Sequence, residues 1–284
     1  MKSHAITSIN PPNSRYVRVE QSKVDYEQRN SVGLIDKLAS LIKSLISKIK
    51  AQIKIISWKR SKKSTDEAFA LLKLDQTGEN LFTNPKFKIW LRYVDKTVEV
   101  QPKQAIVAIL TAKYGDDGLA RMLQAAKNGR ESKLATMLQT EQMWSWLTGT
   151  KGKSTDDVFK LLKLDKGVDK VLTNPNLKAW EDYVQFYTIK FNVKKPTTTI
   201  DSLTAFYGDD AVAKMLEAAR KKPGTKRRAK KLQTAQFTKW LSKDIKPAQV
   251  WKMLKMDKQT WTTNPDADVW RRYLAFYKLN KPAT

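Results

Sequence analysis

The feature that most constrains this sequence is an internal repeat with a period of 90 residues. A Thr-Asn-Pro tripeptide recurs with its asparagine at Asn84, Asn174 and Asn264, so each step is 90 residues (84 to 174 to 264). Each copy has a tryptophan upstream of the tripeptide, and a tryptophan and a tyrosine downstream of it. These aromatic residues are Trp58, Trp90 and Tyr93, then Trp146, Trp180 and Tyr183, then Trp240, Trp270 and Tyr273. A period of this length indicates supersecondary units that complete a core by stacking on their neighbours.

The second and third copies share a front part that the first copy lacks. This part is marked by a Tyr-Gly-Asp-Asp sequence that begins at Tyr114 and at Tyr207. The first copy has instead the segment 32–58, in which apolar residues follow helical spacing beside several lysines. We expect this helix to pack into the first copy, and a membrane-surface helix is the alternative. The predicted organisation is a disordered N-terminal region (1–30), repeat 1 (31–100), repeat 2 (101–193) and repeat 3 (194–284).

Helix-start signals occur throughout the repeats. The Asn-Pro pairs predict an asparagine N-cap followed by a proline at the first helical position. The sequence Ser-Thr-Asp-Asp from Ser154 is a capping sequence, and the two aspartates of Tyr-Gly-Asp-Asp are expected to lie at a helix start as well. No segment shows the sustained alternation of a strand. We therefore predict an all-α fold, in which tandem helical-bundle repeats form an elongated array.

The composition removes most kinds of enzyme site. The chain has no cysteine and one histidine, His4, which excludes disulfides, thiolate metal sites, a cysteine nucleophile and a site with several histidines. No apolar run is long enough to cross a bilayer. We predict a binding protein without catalytic residues, cofactor or metal.

The repeated motifs resemble the W and Y motifs of the oomycete RXLR effectors. Repeat 1 resembles a WY domain, and repeats 2 and 3, with their added front parts, resemble LWY modules. The resemblance implies that a W-motif tryptophan packs against a Y-motif tyrosine inside each bundle. The implied pairs are Trp58 with Tyr93, Trp146 with Tyr183, and Trp240 with Tyr273. The tryptophans of the Y helices, Trp90, Trp180 and Trp270, are the alternative partners.

The N-terminal region carries two sequences similar to the translocation signature of the same effectors. The first is similar to the RXLR motif with valine in place of leucine, and the second is similar to the acidic EER motif that follows it. The residues are Arg15, Tyr16, Val17 and Arg18, and then Glu27, Gln28 and Arg29. The resemblance implies a secreted protein that acts in the cytoplasm or the nucleus of a host cell.

A strongly basic run lies in the front part of repeat 3. Its seven cations are Lys221, Lys222, Lys226, Arg227, Arg228, Lys230 and Lys231. Such a run is typical of a nuclear import signal, a phosphate-binding patch or a surface for an acidic partner, and also of a solvated loop. Because Pro223 and Gly224 interrupt it, we expect the run to lie off the helix packing surface.

The function implied by the resemblance is that of a pathogen effector that binds host plant proteins and suppresses immunity. Some arrays of this family use two adjacent LWY modules to capture the scaffold subunit of a host phosphatase, and repeats 2 and 3 are the candidates here. The alternative is a basic, nuclear nucleic-acid-binding protein. It is suggested by 54 Lys and Arg against 28 Asp and Glu, a formal net charge of +26.

Overall fold

The predicted all-α class is confirmed. The computed structural model describes residues 14–149, 152–259 and 261–281, with side chains from residue 36 onward. Within these ranges every regular element is a helix. The α-helices are α1 (Ser14–Arg60), α2 (Thr65–Leu71), α3 (Pro85–Thr97), α4 (Pro102–Lys127), α5 (Ser132–Thr148), α6 (Thr155–Leu161), α7 (Asn176–Phe191), α8 (Thr199–Tyr207), α9 (Asp209–Arg220), α10 (Pro223–Ser242), α11 (Pro247–Met253) and α12 (Ala267–Asn280). Short 3-10 helices span Leu74–Gln76, Gly78–Thr83 and Val168–Thr173.

The chain divides into an N-terminal body, residues 1–64, and a C-terminal body, residues 65–284. The N-terminal body contains α1, a helix of 47 residues that begins at Ser14. The expectation of disorder over 1–30 is therefore wrong for residues 14–30, while residues 1–13 lie outside the described part. The physical reason is that residues 14–32 contain no proline or glycine and many residues that favour helix.

The apolar stripe of α1 is exposed over most of its length, and its packing into repeat 1 stays a prediction. Ala51, Ile55 and Trp58, near the end of the helix, are buried. Eight larger apolar side chains are 47–61% exposed. They are Leu38, Leu41, Ile42, Leu45, Ile46, Ile49, Ile53 and Ile56. Among the described residues of the N-terminal body there is no second helix against which this stripe could be buried.

The three Asn-Pro sequences form the same cap. The side-chain oxygens of Asn84, Asn174 and Asn264 each accept a hydrogen bond, 2.9 Å long, from the backbone N–H two residues later. In α3 the proline is the first helical residue, as predicted, whereas α7 and α12 begin one and two residues after it. The asparagine satisfies an N–H that the helix itself leaves unpaired. It therefore sets where the helices of the Y motifs, α3, α7 and α12 (the Y helices), begin.

Repeat 2 shares its hydrophobic core with the front of repeat 3. One core cluster joins Trp146, Phe159 and Trp180 of repeat 2 with Ile200 and Leu203 from α8 of repeat 3. A second cluster, built around Trp240, Val250 and Tyr273, belongs to repeat 3. The hydrophobic core of repeat 2 is therefore incomplete without the front helices of repeat 3, as expected for units of a stacked array.

An acidic side chain, half-buried in repeat 2 and buried in repeat 3, joins a front helix (α4 or α9) to the Y-motif helix (α7 or α12). In repeat 2, Asp182 of α7 accepts hydrogen bonds from Gln124 and Lys127 of α4, both 3.1 Å long. In repeat 3 the charges are exchanged, because Glu217 of α9 accepts a 3.1 Å hydrogen bond from Arg272 of α12. In both repeats an ion pair therefore joins a front helix to the Y helix. The acidic residue lies on the Y helix in repeat 2 and on the front helix in repeat 3.

We predict that Trp180→Ala lowers the free energy of unfolding by about 3–5 kcal/mol, because truncation of a buried aromatic side chain leaves a cavity. Trp180 is 1% exposed and lies in the core that repeats 2 and 3 share. Chemical denaturation measures the loss, and Trp144→Ala, at a half-buried position of the same repeat, is the control. Equal losses in the two variants would contradict the packing described here.

We also predict a pH-dependent contribution from Asp182. Burial alone would raise the pKa of its carboxyl group, but hydrogen bonds from Lys178, Gln124 and Lys127 outweigh burial and lower the pKa below the ordinary 3.8. The charged form is therefore stabilised by folding. Its contribution is complete at neutral pH and is lost as the pH falls below 3.8 and through the lowered pKa of the folded state.

Asp182→Asn should cost about 1.5–3 kcal/mol at pH 7, the usual contribution of hydrogen bonds to a charged group. Urea denaturation at pH 7 and at progressively lower pH should show the difference between wild type and variant shrinking in acid. Asp169→Asn, at an exposed position of the same repeat, should show no such trend. A difference that stays constant down to acid pH would rule out the charge as its cause.

Candidate functional site

The W-motif tryptophans of repeats 2 and 3 lie against Y-motif tyrosines. The ring centroids of Trp146 and Tyr183 are 5.5 Å apart at an interplanar angle of 76°, and those of Trp240 and Tyr273 are 5.2 Å apart at 87°. This edge-to-face arrangement is a favourable geometry for two aromatic rings. Burial raises the pKa of both tyrosine hydroxyls to about 12, so they stay protonated and act as hydrogen-bond donors. The Tyr183 hydroxyl donates to the Lys153 carbonyl over 2.6 Å.

The tryptophans of the Y helices have a different partner. Trp90, Trp180 and Trp270 pack edge-to-face against the aromatic residue of the preceding short helix, with centroids 5.0, 5.3 and 5.1 Å apart. Those aromatic residues are Phe69, Phe159 and Trp251. Each indole N–H also donates to a backbone carbonyl at the start of that helix, over 2.8, 2.8 and 3.0 Å. In repeats 2 and 3 the W-motif tryptophan and the Y-helix tryptophan thus have separate positions in the bundle.

In repeat 1 the corresponding residues lie in different bodies. Trp58 is buried near the end of α1, and the Lys54 ammonium lies 5.6 Å from its ring centroid. Tyr93 is buried on α3. The pairing of Trp58 with Tyr93 stays a prediction.

The Tyr-Gly-Asp-Asp sequences hold the W-motif tryptophans in place. The indole N–H of Trp146 donates to Asp116 Oδ1 over 2.6 Å, and that of Trp240 donates to Asp209 Oδ1 over 2.7 Å. The preceding glycines have φ angles of 72° (Gly115) and 83° (Gly208), a region that favours glycine. The glycine therefore turns the chain so that the aspartate reaches an indole about 30 residues away.

Sequence reasoning missed this contact. It expected the two aspartates at a helix start, and Asp209 is indeed the first residue of α9, but the bond from the indole was not foreseen. A second repeated feature also points to it: Gln142 and Gln236 donate to the backbone carbonyls of Asp116 and Asp209 over 3.0 and 2.8 Å. The repetition of Leu-Gln-Thr-x-Gln in both repeats was the available signal.

The tyrosines of the same motif join consecutive repeats. The hydroxyl of Tyr114 in repeat 2 donates to the Leu74 carbonyl of repeat 1 over 3.2 Å, and the hydroxyl of Tyr207 in repeat 3 donates to the Leu164 carbonyl of repeat 2. Burial raises the pKa of both hydroxyls. Tyr207 is adjacent to a second junction residue, since Phe206 stacks on Phe159 with centroids 4.6 Å apart and planes 7° from parallel.

In the junction between repeats 1 and 2, a lysine ammonium occupies the position that the Phe206 ring has in the junction between repeats 2 and 3. The Lys113 ammonium lies 5.1 Å from the Phe69 ring centroid and pairs with Asp66 over 2.8 Å. The residue before the junction tyrosine thus covers the aromatic side chain of the previous repeat in both cases, either as a stacked ring or as a cation over the ring.

The basic run is helical from Pro223 onward, so it is not the solvated loop that the sequence left open as one alternative. Helix α10 begins at Pro223 and includes every cation from Lys226 to Lys231. The physical reason is that proline fits the first turn of a helix, where its missing N–H is not needed. Lys221 and Lys222 precede the helix, and the Lys221 ammonium lies 4.0 Å from an Asp268 carboxylate oxygen.

Helix α10 has two different faces. Thr225 and Ala229 are buried, and Arg228 is partly buried and pairs with Glu181 of repeat 2 over 2.5 Å. Glu181 also accepts a 2.9 Å hydrogen bond from the Thr199 hydroxyl of repeat 3. Arg228 is therefore a junction residue. The exposed cations of α10 are Lys226, Arg227, Lys230 and Lys231, which we call the basic face.

The remaining predicted residues lie on α1. The backbone of Arg15 to Arg18 and of Glu27 to Arg29 is helical, and their side chains fall outside the described ones. No helix in the described ranges has both the length and the apolar character needed to cross a membrane. Nor does the described part of the chain contain a group of three or more acidic or histidine side chains arranged to hold a metal ion.

The chain is similar to several proteins of one family. Residues 52–94 match the family described as Effector PexRD54, WY-domain. RxLR effector protein PSR2 of Phytophthora sojae is 34% identical over 258 residues, which cover 89% of this chain and 38% of that protein. RxLR effector protein PexRD25 of Phytophthora infestans (strain T30-4) is 31% identical over 226 residues, which cover 77% of this chain and 70% of that protein.

A solved structure has the same fold. The crystal structure of PcRxLR12 superposes with a TM-score of 0.71 at 37% sequence identity, covering 84% of this chain and 58% of that one. The chain spans about two fifths of the length of the PSR2 protein it matches. Taken with the helical repeats and their Trp–Tyr pairs, this similarity means that the chain belongs to the RxLR effectors, a family of secreted pathogen proteins known from Phytophthora.

Proposed function

We propose that this effector acts inside the host plant cell as a non-catalytic binding protein, and that it suppresses immunity by occupying host proteins. Membership of the RxLR effectors supports this proposal. A second support is that four tyrosines with raised pKa values donate hydrogen bonds to backbone carbonyls inside the fold. They are Tyr114, Tyr183, Tyr207 and Tyr273.

The observation that carries the proposal is the junction between repeats 2 and 3. Tyr207, Phe206 and Arg228 of repeat 3 each contact repeat 2, through a hydrogen bond, a ring stack and an ion pair. Contacts of three different kinds fix the orientation of one repeat on the other. A fixed pair of repeats presents one continuous surface, which suits recognition of another folded protein without rearrangement.

The partner that we propose for this pair is the scaffold subunit of a host protein phosphatase, as the resemblance to LWY arrays implies. The basic face of α10 lies on repeat 3 and is exposed. Its four cations would attract an acidic surface and accelerate association with it. We therefore place the basic face within the binding surface and the junction residues behind it.

A nucleic-acid partner is the second candidate, because the same exposed cations favour it. Contacts of lysine and arginine with several phosphates would make the affinity fall steeply with salt concentration. A protein partner bound through a mixed surface would show a weaker dependence. Titration of the full chain with duplex DNA, RNA and the purified scaffold subunit at two salt concentrations separates the two candidates.

We predict that a basic-face variant with Lys226→Glu, Arg227→Glu and Lys230→Glu loses its host partner without losing stability. These side chains are exposed, and surface substitutions usually change the free energy of unfolding by no more than about 0.5 kcal/mol. Capture of host proteins from plant tissue by the full chain, and titration with the scaffold subunit, measure the loss. Retention of every partner by this variant would overturn the role of the basic face.

Arg228→Glu is the matched control on the same helix. It places a carboxylate against Glu181 at the junction, so we expect it to lower the melting temperature, unlike the basic-face variant. If the basic-face variant instead lost as much stability as Arg228→Glu, loss of the partner would reflect loss of the fold. Failure of the wild-type chain to bind the scaffold subunit would refute that choice of partner.

A further inference from the structure

Helix α1 carries its exposed apolar stripe on a different side from its buried residues. Ala51, Ile55 and Trp58 are buried, and the other described side chains of the helix are exposed. Successive residues of an α-helix lie about 100° apart round its axis, so the eight residues of the stripe fall within an arc of about 140°. By the same geometry the three buried residues are centred about 145° away from the centre of the stripe. The side of α1 that is buried is therefore not the side that carries the stripe.

Cations line both edges of this stripe. Lys37 and Lys48 lie along one edge, and Lys43 and Lys50 lie along the other. The segment 36–60 contains seven lysine or arginine residues against one acidic residue, a formal charge of +6. Long basic side chains can lay their methylene groups along an apolar surface while the ammonium group stays in a polar layer. The arrangement suits a boundary between an apolar and an anionic layer.

Two other uses of such a stripe do not fit this sequence. From Leu38 to Ile56 the stripe is about 27 Å long, but no described helix is apolar enough to cross a membrane. In a coiled coil the positions beside the apolar seam are usually charged and pair with the partner helix. Beside a seam that begins at Leu38, the positions of Leu41, Ile46 and Ile53 are apolar instead. Two copies side by side would also bring their cations together, with one acidic residue each to offset them.

We propose that the apolar stripe of α1 binds the surface of a membrane that contains anionic lipids, with the helix axis parallel to the membrane plane. The apolar side chains enter the boundary between headgroups and acyl chains, and the cations at the edges lie beside the anionic headgroups. Charge complementarity favours this occupant, because the surface is anionic outside and apolar beneath. The sequence left two arrangements open for this helix, packing into repeat 1 and a membrane-surface helix, and the exposure of the stripe favours the second.

The test measures binding of the full chain to lipid vesicles by co-sedimentation. Vesicles of phosphatidylcholine alone are compared with vesicles of phosphatidylcholine and phosphatidylserine in equal parts. We expect saturable binding to the mixed vesicles and about tenfold or more weaker binding to phosphatidylcholine alone, because each cation near an anionic surface adds to the affinity. Binding to the mixed vesicles should weaken as added salt screens the charges.

Protein variants locate the site. Ile42→Gln with Ile49→Gln removes apolar surface from the middle of the stripe and should weaken binding to the mixed vesicles about tenfold or more. These side chains are 55% and 57% exposed, so the melting temperature without lipid should be unchanged. Ile189→Gln with Leu279→Gln is the matched control, because it makes the same kind of change at exposed apolar positions of α7 and α12. This control should bind like wild type.

Absence of saturable binding to the mixed vesicles, or equal weakening by the two double variants, would overturn the proposal. The basic-face variant with Lys226→Glu, Arg227→Glu and Lys230→Glu tests whether the lipid contact lies on α10 instead. Loss of binding in that variant, with binding retained by Ile42→Gln with Ile49→Gln, would also overturn the proposal.

The stripe variant without lipid tests the remaining occupants. A melting temperature below that of wild type would mean that the chain itself buries the stripe. A dimer of the wild-type chain that Ile42→Gln with Ile49→Gln dissociates in sedimentation would mean that a second copy covers it. Either result would refute a membrane as the occupant.

Discussion

The dependence of one repeat's core on the next repeat governs the C-terminal body. Burial of apolar surface is the main favourable contribution to folding, and Phe159 reaches full burial because Phe206 of repeat 3 stacks on it. The junction also carries the Tyr207 hydroxyl, which donates to a carbonyl of repeat 2. Apolar burial and hydrogen bonding are thus combined in two adjacent residues. Within the described residues no front helix covers the corresponding Trp251 of repeat 3, which is partly exposed.

Polar contacts then select one arrangement among those that apolar burial would allow. The indoles of Trp146 and Trp240 each donate to an aspartate of the Tyr-Gly-Asp-Asp motif. The ion pairs at Asp182 and Glu217 join the same elements with exchanged charges. Within each repeat the acidic side chain faces a basic one. If a front helix of one repeat packed against the Y helix of the other, two side chains of like charge would meet. The arrangement therefore favours the correct pairing of helices, in addition to its effect on stability.

The helices could be predicted because their sequence signals are local. Contacts between residues distant in sequence could not be predicted in this way. The caps of Asn84, Asn174 and Asn264 involve an N–H two residues away, so the tripeptide alone indicates them. The bond from Trp146 to Asp116 joins residues 30 apart, and nothing local in either segment specifies it. The basic run was misjudged for a related reason. Pro223 and Gly224 suggest a break, but buried Thr225 and Ala229 show that the core continues along α10.

Helix α10 shows how one sequence can specify a scaffold and a surface at once. Thr225, Ala229, Gln233 and Trp240 are buried on one side, and the basic face lies on the other. Because helical periodicity separates these positions, the exposed residues can change while the buried ones keep the packing. Arg228 marks the boundary, since it is cationic like its neighbours but paired across the junction. The net charge of a basic run therefore does not show which of its cations are available to a partner. The position of each residue on the helix shows this.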